Sequence, residues 1–255
     1  MPSNLYYHAG DIGDLVYGLI VPKLHSGGHM WLGPKHTLPK VFAPRCGITW
    51  EGFQFIAPLL RKQPYVFSLE WVLQRPFVTY DLNLFRLHWT GAYVDRYEKR
   101  GWKPPYSLQQ MHLGAFDLND DGKTPWLEAK AVYGPPVLFA RSERYHNTSF
   151  PWQRIRDKYQ KCAAFVGRDV EYDKFCREFG PVARLRVEDA WQLACLMAGC
   201  RLFVGNQSAP YAIAEGLKVR TIQETRNGCN SEADCMFNRP GAQFVMNDHV
   251  ELPDI

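Results

Sequence analysis

Leu202-Phe203-Val204-Gly205-Asn206-Gln207-Ser208-Ala209-Pro210 is the stretch that decides the fold. An apolar run suited to a buried strand enters a small polar turn. Pro210 then falls where the first turn of a helix tolerates a missing N–H. The helix predicted over Ser208 to Leu217 carries Ala214-Glu215-Gly216-Leu217 at its end, and Val219 to Gln223 supplies another apolar strand. Strand, turn, short helix and strand make a βαβ unit, which implies parallel pairing.

The same alternation extends upstream. Val137 to Ala140 reads as a strand, Trp152 to Tyr159 as a helix after Pro151, and Cys162 to Val166 as a strand ending at Gly167. Val170 to Phe179 reads as a helix closed by Gly180, Val182 to Leu185 as a strand, and Glu188 to Ala198 as a helix. Arg201 to Val204 leads into the opening stretch, and Gln243 to Met246 is a final strand. Together these predict a parallel sheet flanked by helices. Gly134-Pro135-Pro136 breaks any regular element and divides the chain into domains 1–134 and 135–255.

The first half is less regular. Leu5 to His8 is a strand, Gly13 to Leu24 a helix stopped by Gly27-Gly28, Met30 to Leu32 a strand and Gly52 to Lys62 a helix. Between Tyr65 and Tyr106 aromatic residues alternate with arginines and lysines, and no element is assigned.

At 255 residues, with 46% hydrophobic and 22% charged residues, the chain can bury a sizeable core. A net charge of +4 permits a polyanionic partner without demanding one. The opening residues show neither a basic n-region nor an apolar h-region, and no run approaches the length of a membrane span, so a cytoplasmic protein is expected. Seven cysteines lack a regular framework. Cys162, Cys195 and Cys200 fall in apolar periodic segments, as core thiols do. Cys229 and Cys235 have neither a C-x-x-C pair nor a nearby histidine pair, so no metal site is expected.

Three constellations carry chemistry. In the first, strand residues Tyr6-Tyr7-His8 meet Ala9-Gly10-Asp11-Ile12-Gly13-Asp14, where a glycine-containing turn starts a helix bearing a carboxylate. Ligands of open α/β sheets bind beyond the C-terminal ends of the strands. One aspartate there can be an N-cap, which leaves the second for other work. In the second, Gly205-Asn206 leads to Gln207 and Ser208, which with the free N–H groups of the helix behind them can hydrogen-bond a diphosphate, and Glu215 can accept from ribose hydroxyls. A capped crossover helix with a solvated glutamate is the plainer alternative. In the third, Arg141-Ser142-Glu143-Arg144-Tyr145-His146 follows the Val137–Ala140 strand. Its arginines can pair with diphosphate oxygens or be ordinary surface charge.

In these residues the chain resembles the lipopolysaccharide heptosyltransferase family of glycosyltransferases, which have the GT-B fold. The resemblance lies in Gly13-Asp14-Leu15-Val16-Tyr17-Gly18-Leu19 with Pro22, in Arg141 to His146 before Phe150-Pro151, and in Gly205 to Ser208 with Ala212 to Leu217. It implies an α/β protein of two Rossmann-like domains facing each other across a cleft. The acceptor side would be residues 1–134 and the nucleotide-sugar side 135–255. Asp14, with Asp11 as the alternative, would deprotonate the acceptor hydroxyl and give inversion at the sugar without a metal or other cofactor. Arg141, Arg144, Gln207 and Ser208 would face the donor diphosphate and Glu215 the ribose, with Gly13, Gly205 and Asn206 completing the donor-binding set. Asn206-Gln207 replace the family's acidic residue and threonine, so ADP-heptose is not implied as the donor. The chain is short for the family, as a relative from a phage or a surface-polysaccharide cluster would be; a phage protein would act in the host cytoplasm.

Two acceptors are open. Trp50, Phe53, Phe55, Tyr65, Phe67, Trp71, Phe77, Tyr80, Phe85, Trp89, Tyr93, Tyr97 and Trp102 lie among Arg61, Lys62, Arg75, Arg86, Arg96, Lys99 and Arg100. Such a mixture can stack on sugars, or grip DNA around a flipped hydroxymethylated base. A core rich in aromatics accounts for many of these residues as well. A saccharide acceptor ranks first, modification of hydroxymethylated phage DNA second. A nucleotide-binding module without catalysis is the reading of another class.

Overall fold

The computed structural model describes residues 4–38, 47–104, 106–226, 239–245 and 249–255. The chain forms two compact units. One comprises Met1–Glu128 with Asp189–Trp191, the other Ala129–Glu188 with Gln192–Ile255.

The first unit begins with strand β1 (Asn4–His8) and helix α1 (Ile12–Gly18), followed by α2 (Ile20–Leu24) and β2 (Gly28–Leu32). One helix was expected over Gly13 to Leu24, and two are found. Pro22 has no N–H to give to the carbonyl four residues back, so the ladder breaks at Leu19, whose N–H reaches both Leu15 and Val16. Helix α3 (Trp50–Arg61) starts at Thr49, whose side chain accepts from Gly52 N. It buries Phe53, Ile56, Ala57, Leu59 and Leu60, a single face at helical spacing. Strands β3 (Val66–Trp71) and β4 (Tyr80–Asp81), a 3-10 helix (Leu82–Thr90), α4 (Val94–Lys99) and α5 (Leu108–Ala115) complete it. These elements fill the interval in which the aromatic-rich sequence assigned none. Tyr65, Phe85, Tyr93 and Tyr97 are buried there, as Phe53 is on α3, so they belong to the core.

The second unit holds β5 (Val137–Ala140), α6 (Trp152–Tyr159), β6 (Ala163–Val166), α7 (Asp169–Phe179), β7 (Ala183–Leu185), α8 (Ala190–Gly199), β8 (Leu202–Asn206), α9 (Ala209–Gly216), β9 (Thr221–Glu224) and β10 (Ala242–Val245). The alternation expected from the sequence is present, with ends shifted by a few residues. Val137, Phe139, Trp152, Phe165, Phe175, Val204 and Ile222 form a core cluster, and each such side chain contributes roughly 1.5–3 kcal/mol on burial. Gly180 closes α7 at φ 88 and ψ 171, a backbone conformation that favours glycine.

Both sheets are parallel throughout. The four-stranded sheet has the order β3-β2-β1-β4 and the six-stranded sheet β10-β9-β8-β5-β6-β7. In each, the strand order reverses once, between β1 and β4 in the first and between β5 and β8 in the second. At such a reversal the crossovers leave in opposite directions and open a crevice beyond the carboxyl ends of the strands. The turns after β1 and β4, and those after β5 and β8, are therefore where each unit can hold a ligand.

Of the four cysteines among the described residues, none is in a disulfide. Burial pushes the Cys200 thiol up to about 12. Cys229 and Cys235 lie outside the described residues. No helix among the described residues is long and apolar enough to cross a membrane.

Candidate functional site

At the first reversal, β1 ends at His8 and the turn Ala9 to Asp11 leads into α1. Asp11 occupies the N-cap position, yet its side chain caps nothing; Oδ1 accepts from Gly47 N at 2.7 Å. Gly13 and Asp14 are in the first helical turn, where a carboxylate is favoured by the helix dipole. The carboxylate of Asp14 is held by Arg86, whose guanidinium donates to Oδ2. Arg86 comes from the 3-10 helix that follows β4, so the pair bridges the two strands flanking the reversal. Asn83 in that helix accepts from Ala9 N at 3.3 Å and is itself fastened to Asp81, which pairs with Arg75 at 2.6 Å.

Beneath this pair lie two histidines. His8 is fully buried, and burial, reinforced by the Arg86 guanidinium, pushes its pKa down to about 3. His112 of α5 is also fully buried and stacks on Phe85 at 4.2 Å. Burial holds it well below the usual imidazole range, with His8 and Arg86 adding to the effect. Both imidazoles are therefore neutral at pH 7, which leaves Arg86 as the cation beside Asp14. Gly10 makes room for this arrangement: a Cβ there would meet His8 Nε2 at 2.8 Å and Arg86 Nη2 at 3.2 Å.

At the second reversal, the turn after β8 abuts the loop after β5. Asn206 is fully buried, and its side chain pins that loop: Oδ1 accepts from Ser142 N at 2.9 Å, while Nδ2 donates to the carbonyls of Ser142 and Arg144. Gly205 pairs with Ala140, and an added Cβ would meet Ala140 O at 2.7 Å, so the close approach of the two strands sets glycine here. Ser208 is the N-cap of α9, accepting from Tyr211 N and donating to Asn206 O at 2.9 Å. Gln207 stands in the same turn, half-buried. Arg144 lies over the Tyr145 ring at 5.3 Å, and Tyr145 adopts φ 60, the left-handed region that a tight loop imposes.

Two further residues expected at the donor are, like Asn206, occupied inside the unit. Arg141 is buried and forks onto Glu224, Nε to Oε2 at 2.9 Å and Nη2 to Oε1 at 3.1 Å, while Nη1 reaches Glu178 at 2.6 Å. Glu224 also accepts from Asn147 N and Trp152 Nε1, each at 2.8 Å. Glu215 is fully buried and takes Lys218 and Arg239 as partners; burial pushes its pKa up against the pull of both cations. Among the described residues no group of three or more His, Cys, Asp or Glu side chains could hold a metal ion.

No protein-family model matches the chain, and no curated protein matches it in sequence. Solved structures do. A family 9 glycosyl transferase from Veillonella parvula superposes with a TM-score of 0.53 at 9% identity, over 86% of this chain and 79% of its own. The dodecameric iron-containing heptosyltransferase TibC, in complex with ADP-D-beta-D-heptose, superposes with a TM-score of 0.52 at 11% identity, over 97% of this chain and 64% of its own. The fold is that of the GT-B glycosyltransferases.

Within the GT-B fold, residues that periodicity alone did not single out complete each turn. Arg86 lies 72 residues from Asp14, and Glu224 lies 83 from Arg141. No local pattern in a sequence reports pairs so distant. The only advance signal for Arg86 was its place in an aromatic-basic stretch with no assigned elements. Glu224 directly follows the strand predicted over Val219 to Gln223 and is the last residue of β9.

Proposed function

We propose that the chain is a glycosyltransferase that moves a sugar from a nucleotide-sugar donor to an acceptor hydroxyl with inversion and without a metal. The single observation that carries this reading is Asp14. It is a carboxylate at a strand-order reversal of a GT-B fold, held by an arginine rather than spent as a helix cap. Asp14 accepts the proton of the acceptor hydroxyl as that oxygen attacks the anomeric carbon, and the nucleoside diphosphate leaves with the bonding electrons. An aspartate is ionised at neutral pH, and general-base assistance of this kind contributes roughly 10²–10⁴-fold.

The leaving group gathers negative charge, which fixed donors must meet. In the second unit, Arg144, Gln207, Ser208 and the first N–H groups of α9 fill that role. Arg141, Asn206 and Glu215 act from behind: Arg141 and Asn206 hold the Arg141–His146 loop in place, and Glu215 fastens the end of α9 to Arg239. The TibC structure holds an ADP-sugar; in this chain the donor base and sugar follow from assay rather than from that neighbour.

A saccharide is the acceptor. Of the seven basic residues in the aromatic stretch, four are occupied within the unit. Arg75 binds Asp81 and Arg86 binds Asp14. Arg96 donates to the carbonyls of Gly114 and Ala115, and Arg100 to that of Leu118 and to Asp117. DNA binding needs several cations free for phosphates, and few remain.

The test is a panel of nucleotide sugars offered without acceptor, following slow transfer to water by released nucleotide, with and without EDTA. Hydrolysis of one donor that persists in chelator is the expected result. No hydrolysis of any donor rejects the transferase, and activity abolished by EDTA and restored by Mg²⁺ or Mn²⁺ rejects the metal-free mechanism.

A further inference from the structure

Trp50 is the first residue of α3 and is 47% exposed, a large apolar surface facing water. Scattered apolar residues are normal on protein surfaces. This one differs in being braced. Its indole stacks on Phe53 at 5.2 Å with an interplanar angle of 24°, and meets the Trp71 ring edge-on at 5.8 Å and 67°. Phe53 and Trp71 are themselves in contact at 5.3 Å, so three rings hold one another while nearly half of the Trp50 surface stays open to water. An indole fixed in this way loses little rotamer freedom when something stacks on it.

Its place in the fold gives the platform a purpose. Trp71 is the last residue of β3, so the cluster stands at the carboxyl edge of the four-stranded sheet, as the turn after β1 does. The start of α3 adjoins the start of α1: an added Cβ at Gly52 would lie 3.3 Å from Ile12 Cδ1, and Gly47 N binds the Asp11 carboxylate. Ile12 is two residues before Asp14. Glu51, exposed beside Trp50 in the first helical turn of α3, places a carboxylate next to it. A carboxylate accepts hydrogen bonds from hydroxyl groups and repels phosphates.

We propose that Trp50, braced by Phe53 and Trp71, is the platform on which a neutral sugar ring of the acceptor stacks, with Glu51 accepting from its hydroxyls. The inference rests on the glycosyltransferase reading for its purpose, and its residues are not those of the donor turns. A pyranose presents a flat face of C–H groups that suits an indole, while its rim of hydroxyls needs polar partners.

The experiment compares wild type, Trp50→Ala and Trp50→Phe on an array of immobilised oligosaccharides, with duplex DNA as a further probe. Thermal melts and donor hydrolysis to water are measured for each. The expected result is binding of at least one class of neutral glycan, weakened about tenfold or more in Trp50→Ala and largely kept in Trp50→Phe, as the loss of one aromatic contact implies. Donor hydrolysis should be unchanged, since water needs no platform. Glycan binding that depends on Trp50 in a protein that hydrolyses no nucleotide sugar would uphold the platform and remove the transferase. Binding equal in wild type and Trp50→Ala, or binding of DNA with no glycan bound, overturns the platform.

Discussion

Replacing Asp14 with asparagine separates a base from a structural anchor. The change keeps shape and one accepting oxygen, and removes the charge that Arg86 binds. Fully exposed ion pairs contribute about 0–1 kcal/mol, and deleting one partner of a fully buried pair costs about 3–5 kcal/mol. The Asp14 and Arg86 side chains are 18% and 16% exposed, between these limits. Because the amide oxygen can still accept from Arg86, the lower part of the range applies, about 1–2 kcal/mol. Loss of the favourable charge in the first helical turn adds about 0.3–1 kcal/mol. Asp14→Asn should therefore melt roughly 5 °C below wild type, with the protein still folded at 25 °C. Its rate of transfer should fall far more, by roughly 10²-fold or beyond, because an amide cannot take the hydroxyl proton. Initial rates of nucleotide release and thermal melts on the same preparations decide the matter. Asp11→Asn is the control, since Asp11 is engaged with Gly47 N. A wild-type rate in Asp14→Asn would refute the assignment, and a large loss confined to Asp11→Asn would move the base three residues upstream.

Other outcomes follow from the same geometry. Glu224→Gln leaves the Arg141 guanidinium buried with half its countercharge and should cost about 2–4 kcal/mol, read by urea unfolding; a midpoint equal to wild type would show that the Arg141–Glu224 fork does not hold the loop. His8 has a folded pKa near 3 against an unfolded value of about 6.5, so its contribution to stability is complete above about 6.5 and is lost as pH falls toward 3. Between pH 7 and pH 5 that loss is about 2 kcal/mol from His8 alone, and His112 acts in the same direction. His8→Gln should flatten the fall in melting temperature over that interval, and an unchanged slope would show that His8 is not the group titrating. In the saccharide array, Trp50→Ala should lose binding that Trp50→Phe keeps.

What the sequence by itself determined is the set of things that depend on neighbours along the chain. Strand, turn and helix alternate within about twenty residues, so apolar runs and Gly or Pro punctuation reported the βαβ units of residues 137–223 and their parallel sheet. The positions of Asp14 and of Gly205 to Ser208, at the ends of strands, were legible for the same reason. Tertiary structure alone decided which turns became neighbours. The reversals in strand order brought the 3-10 helix after β4 to the turn after β1, and Arg86 to Asp14. In the same way they brought β9 to the loop after β5, which engaged Arg141 with Glu224. The interval from Tyr65 to Tyr106 is not legible in the sequence because its elements are short and stabilised by packing: β4 has two residues and, among the described residues, pairs only with β1, and Tyr93 and Tyr97 are buried. Local propensity is weak in such pieces, and long-range burial supplies the free energy that orders them.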